Sequence, residues 1–256
     1  MMSTRVLSNA LRASSRNILR KNLIKSTIAI PRLASNFSTT PIKFNAKTQA
    51  LHDVLVSEAE YEKADTFGLD ETYLSYMKES NLEIIDTGDK VLAELQKKNG
   101  SETIHIYFDV QRITQAAYEL RALEENMEDS EYMDKEELAE SSLAEVNIVV
   151  EKQGKAVGFD MLLGISNNQF SVNGITNFSN ASDALSETPE AANKRDLLYS
   201  GPAFTQLGEE LQDSFNEYLA SRGIDEQLGE FIIAYASVKE NTDYITWLDK
   251  LEGFFK

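Results

Sequence analysis

Between residues 81 and 175 apolar and polar side chains alternate in a series of short runs, and a two-residue period suits strands rather than helices. ETIHIYFDV places Ile104, Ile106, Phe108 and Val110 on one side and His105, Tyr107 and Asp109 on the other. EVNIVVE sets Val146, Ile148 and Val150 against Asn147, Val149 and Glu151, VGFDMLL aligns Val157, Phe159, Met161 and Leu163, and QFSVN adds Phe170 and Val172. Between the runs stand Asn99-Gly100, Gln153-Gly154 and Ser166 to Asn168, residue types that adopt tight-turn backbone. These spacings are those of an antiparallel meander rather than of β-α-β units. One face of the sheet is apolar and the other mostly polar, which predicts cover on one side only.

Helical spacing flanks this region. In AKTQALHDVLVSEAEYEKAD (46–65), Leu51, Val54, Leu55 and Ala59 form the apolar stripe of an amphipathic helix. The cover for the sheet comes from the C-terminal third, where Leu207, Leu211, Phe215, Tyr218 and Leu219 precede a helix stop at Arg222-Gly223. Ile224, Leu228, Phe231, Tyr235 and Val238 then recur at alternating steps of four and three, a seam for a second helix. Asn241-Thr242-Asp243 is expected to interrupt it. The last segment carries Tyr244, Ile245, Trp247, Leu248, Leu251, Phe254 and Phe255. An apolar stripe at a chain end is either buried in its own subunit or held between subunits, so Tyr244, Trp247, Leu248, Leu251, Phe254 and Phe255 are the candidate oligomer interface. A ligand-stacking box of Tyr244, Trp247 and Phe254 is the competing reading, and core or interface packing is the commoner use of such spacing.

Charge divides the chain. Residues 1–40 hold Arg5, Arg12, Arg16, Arg20, Lys21, Lys25 and Arg32, seven serines and no acidic residue. That composition, with Val6, Leu7, Leu11, Ile18, Leu19 and Leu23 on one helical face, is that of a mitochondrial transit peptide, removed near Arg32 to Thr40. Recurrent cations rule against a secretory signal. Residues 41–256 then form a single acidic domain with 18 lysines and arginines against 42 aspartates and glutamates, a net charge of −24. Such a surface repels a phosphate backbone, so direct nucleic-acid binding is disfavoured, and basic proteins or cations are the natural partners. Absence of cysteine excludes disulfides and thiolate catalysis. No apolar run reaches the 18 or so residues that span a bilayer.

The densest acid lies at 119–140, with ten carboxylates against Arg121 and Lys135. Self-repulsion predicts a flexible loop between strands. Glu124, Glu125, Glu128, Asp129, Glu131, Asp134, Glu136, Glu137 and Glu140 are the candidate client-binding residues, and a loop that serves only solubility is the plainer alternative. No window supplies an EF-hand loop, which leaves weak calcium or cation buffering as the alternative function. Phosphate-loop, dinucleotide, nucleophile-elbow and H-E-x-x-H motifs are absent, and no cofactor, metal site or catalytic residue is expected. Of two histidines, His52 lies on the polar flank of the first helix. A relay between His105 and Asp109 is conceivable, although four residues of strand separate them by about 13 Å.

SETIHIYFDV (101–110), RDLLYSGPAF (195–204), ELQDSFNEYLASRGIDEQLGEFI (210–232) and KENTDYITWLDKLEGFF (239–255), in that order behind an arginine-rich leader, resemble the mitochondrial acidic matrix protein family, also called the mitochondrial glycoprotein family. The resemblance spans about residues 46–256. It implies an α+β fold in which a curved seven-stranded antiparallel sheet is flanked by one N-terminal and two C-terminal helices, three copies forming a doughnut-shaped homotrimer. It further implies a non-enzymatic matrix protein that binds basic proteins, among them mitoribosomal proteins or translation factors, and supports ribosome assembly, translation and oxidative phosphorylation.

Overall fold

The computed structural model describes residues 46–127 and 142–256, the side chains of 124–127 excepted. Its centre is an antiparallel sheet of six strands among the described residues: β1 (Leu82–Ile85), β2 (Leu92–Asn99), β3 (Glu102–Asp109), β4 (Leu143–Lys152), β5 (Lys155–Gly164) and β6 (Phe170–Phe178). Spatial order follows chain order, as alternation and short turns dictate. At the β4–β5 hairpin Lys152 pairs with Lys155, and Gln153 (φ 52°) and Gly154 (φ 74°) both take the left-handed backbone that a two-residue turn needs.

Among the described residues the count is one short of the seven strands that the resemblance implies. After Phe178 the chain turns into helices: the Asn180 side chain accepts the Ser182 N–H at the head of α4 (Ala181–Leu185), and Thr188 accepts from Ala191 N–H at the head of α5 (Pro189–Asp196), which Pro189 opens.

Ile104, Ile106, Phe108, Val146, Ile148, Phe159 and Leu163 are buried on one sheet face. The helix α7 (Glu226–Phe255) covers them with Leu228, Phe231, Ile232 and Ala236. Gly229 permits this approach, since a β-carbon there would sit 2.2 Å from the Asn168 carbonyl oxygen and 2.9 Å from a Leu163 methyl. Leu219 and Ile224, from α6 (Glu209–Ala220) and the turn after it, complete the layer. A helix that the periodicity left unread, α2 (Glu71–Ser80), adds Tyr73 and Tyr76, whose rings lie 6.2 and 5.7 Å from that of Phe231. At one corner Glu102, only 7% exposed, meets Lys152 Nζ and Arg222 Nε, each at 3.1 Å, and the Arg222 guanidinium lies 3.9 Å from the Tyr218 ring centroid.

Three expectations are corrected. First, the acidic stretch does not begin as a loop: α3 (Val110–Met127) runs to Met127. The Asp109 carboxylate caps it by accepting the Arg112 N–H at 3.0 Å, and Val110, Ile113, Ala116 and Leu120, at helical spacing, bury themselves in the core. Second, α7 runs unbroken through Asn241-Thr242-Asp243. The Thr242 hydroxyl bonds back to the Val238 carbonyl, Asp243 pairs with Lys239 one turn earlier, and the Asn241 amide donates to Glu62, so most of the triplet's polar groups find partners without breaking the helix. Third, the sheet's other face is partly covered. Val149 and Ala156 interrupt its polar pattern and form a small core with Phe178 and Ala181, over which Leu185 and Leu198 close.

The first helix, α1 (Ala46–Ala64), docks on α7: Leu55 and Ala59 are buried with Leu248. Its flanks carry a Lys63–Asp249 ion pair at 2.7 Å and a hydrogen bond from Tyr244 to Glu58 at 3.3 Å.

Candidate functional site

On the far face of the sheet, strand register sets polar side chains in rows. Gln96, His105, Val149 and Gly158 form one row, and Glu94, Tyr107, Asn147 and Asp160 the next. Within these rows His105 Nδ1 lies 3.0 Å from Glu94 Oε1, and the Tyr107 hydroxyl donates to the same oxygen at 3.2 Å. Burial, reinforced by the Glu94 charge, pushes the Tyr107 hydroxyl well above its ordinary pKa. His105 is 7% exposed, its ring stacked on that of Tyr107 and its Nε2 3.8 Å from Glu151. The relay to Asp109 therefore does not form, because Asp109 caps α3 and the histidine takes its partner from the adjacent strand.

Beside these rows a cleft of about 510 Å³ opens between the far face and residues 184–200. Asp160, Glu187 and Asp196 line it with Tyr107, Asn147 and Thr176. Desolvation, then Glu145, holds the Asp160 carboxyl above its usual range. Among the lining residues the cation is Arg195, whose guanidinium donates to the backbone carbonyls of Asp183, Ala184 and Ser186. Glu187 is held by Lys90. The cleft thus sets three carboxylates on a wall that is otherwise largely apolar, and its arginine is spent on the chain's own backbone.

A second cleft, of about 420 Å³, lies between the C-terminal half of α7, the β1–β2 connection and the start of α3. Asp89, Glu240, Asp243, Tyr244, Trp247 and Lys250 contribute to it, with Val91 and Val110 as apolar wall. The Tyr244 and Trp247 rings stack at 6.0 Å with 20° between planes. Asp243 holds Lys239 and Asp89 holds Lys250. Burial, then Asp243 and Glu62, raises the Glu240 carboxyl above its ordinary range.

The residues picked out from the sequence separate on this framework. Leu248 is 2% exposed and lies against α1 of its own chain, joined by Tyr244, Leu251 and Phe255. Trp247 and Phe254, 54% and 79% exposed, stand outside that contact. Glu124 and Glu125 belong to the last turns of α3, and their side chains, with residues Glu128, Asp129, Glu131, Asp134, Glu136, Glu137 and Glu140, lie outside the described residues. The cleft carboxylates escaped the sequence reading because the two clefts draw on segments far apart in the chain. Asp160 was legible as a polar position on β5, but Glu187 and Asp196, which line the same cleft, come from the link between α4 and α5 and from the end of α5, which the alternation does not announce. Among the described residues no group of three or more histidines, aspartates or glutamates is placed to hold a metal ion. Nor is any described helix long and apolar enough to cross a membrane.

Comparison with known proteins matches this architecture. The mitochondrial glycoprotein family profile matches residues 55–255. The mitochondrial acidic protein mam33 of Schizosaccharomyces pombe is 31% identical, with 92% of this chain and 90% of that protein covered. Two solved structures share the fold. One is a Leishmania major protein of unknown function described as a sequence homologue of human p32 (TM-score 0.62, 21% identity, 82% of this chain and all of that one). The other is the Trypanosoma brucei p22 protein (TM-score 0.60, 22% identity, 83% and all).

Proposed function

The chain belongs to the mitochondrial glycoprotein family, and from that premise we propose that it is a non-enzymatic acidic scaffold of the mitochondrial matrix that holds basic proteins in soluble form. The observation that carries this reading is the charge: −24 over residues 41–256, ten of the carboxylates packed into 119–140. Asp160, Glu187 and Asp196, in the cleft on the far face of the sheet, add carboxylates held by the fold to that segment. Residues 1–40 serve as the cleaved address. The clients are cationic, mitoribosomal proteins and translation factors in particular, drawn in by long-range attraction and released when a stronger polyanion such as ribosomal RNA competes. In this role the protein supports ribosome assembly, translation and, through them, oxidative phosphorylation.

Self-association into a homotrimer fits the apolar surface left on the helical side. Leu51, Val54 and Tyr61 of α1 are exposed, as is Phe254, and a second copy is the covering these residues lack. The rest of the C-terminal stripe is spent on α1, and Trp247 closes a cleft.

The test replaces the carboxylates of 119–140 by Asn and Gln and compares affinity capture from intact mitochondria. We expect loss of basic clients with the assembly state unchanged. Undiminished recovery of the same basic clients from the neutralised chain would remove that segment as the capture element and leave only the folded acidic faces for the role.

A further inference from the structure

We propose that the cleft beside the C-terminal half of α7 receives arginine side chains of basic proteins, with Trp247 as the stacking platform and Glu240 as the counter-charge. This rests on the reading that the chain takes up cationic proteins, and it names the side chain recognised. An indole is among the largest apolar groups a protein can bury, yet Trp247 stays 54% exposed while Leu248, next to it, is almost wholly covered. Its ring faces a cleft of about 420 Å³, and Tyr244 backs it in parallel at 6.0 Å. Such a face attracts a cation, and a guanidinium, being planar and weakly hydrated, stacks on it better than an ammonium does.

The carboxylates around the indole are not equivalent. Asp243 is engaged by Lys239, and Asp89, across the cleft, by Lys250. Glu240, two turns before Trp247 on the same helix, has neither an ion pair nor a hydrogen bond among the described residues, and Asp243 and Glu62 press on it with like charge. An incoming cation relieves that repulsion. The two lysines already present are held by their own aspartates, so the remaining acceptor is the one without a partner. The volume suits one or two side chains rather than a helix, which makes this a subsite for individual residues of an extended basic segment.

Trp247 is the chain's only tryptophan, so its fluorescence reports on this cleft alone. The purified chain is titrated at low ionic strength with tri-arginine amide, with tri-lysine and tri-citrulline amides as comparators, while calorimetry counts total binding. Expected are a saturable change in emission with tri-arginine, a weaker one with tri-lysine and none with tri-citrulline. Glu240→Gln should weaken the fluorescence-detected affinity about two- to fivefold, and Trp247→Phe should keep most of the calorimetric arginine binding that Trp247→Leu loses. If calorimetry shows tri-arginine bound while the emission stays still, or if lysine and arginine act equally, the cleft proposal is overturned and capture elsewhere on the acidic surface stands. If tri-arginine does not bind at all, both readings fall.

Discussion

A hydrogen atom in place of a methyl group at residue 229 lets α7 lie directly on the turn before β6. At an exposed helical site alanine would gain about 1 kcal/mol over glycine. Here its β-carbon would enter the Asn168 carbonyl, so Gly229→Ala should instead destabilise the chain by about 1–3 kcal/mol, measured by urea unfolding. Glu102 is the second residue on which the core depends. Its carboxyl is held below the ordinary range, first by the hydrogen bond from Arg222 and then, against the cost of burial, by that from Lys152. A depressed carboxylate contributes stability that is complete above its unfolded pKa of about 4.3 and is lost as pH falls through the lower, folded value. Glu102→Gln should therefore cost about 1–3 kcal/mol at neutral pH, and the difference from the parent chain should shrink below pH 4. A difference independent of pH would assign the loss to packing rather than to charge.

Among the elements, α1 is anchored apart from the main core, since its buried residues, Leu55 and Ala59, meet Leu248 in a separate small cluster. Leu248→Ala should remove about 2–4 kcal/mol at that junction. Hydrogen exchange should then accelerate through α1 while β3 to β5 keep their protection; an equal loss across the sheet would contradict this division. Strands β3 to β6, the first helix and the C-terminal helices were legible because their periods are clean, whereas β1, four residues long, is too short to show one. Two elements misled for physical reasons. The carboxylates of 119–127 masked the helical spacing begun by Val110, Ile113, Ala116 and Leu120, so the end of α3 read as a loop, and Asp109, the last residue of β3, is also the cap of that helix. At 241–243 a polar triplet looked like a break because its partners, Glu62 and the carbonyl of Val238, become visible only when helix and neighbour are in place.

At the scale of the whole molecule, composition announced an acidic surface but not where its carboxylates gather. Asp160, Glu187 and Asp196 come to line one cleft, and Asp89 and Glu240 another, only through the fold. The account holds that this negative surface, rather than an apolar groove, supplies the attraction for basic proteins, and ionic strength separates the two forces because screening weakens the first and leaves the second nearly untouched. The decisive measurement is the affinity of the purified chain for a basic ribosomal protein between about 50 and 500 mM monovalent salt. The account predicts a steep, progressive loss of affinity across that range; an affinity that stays constant would contradict it.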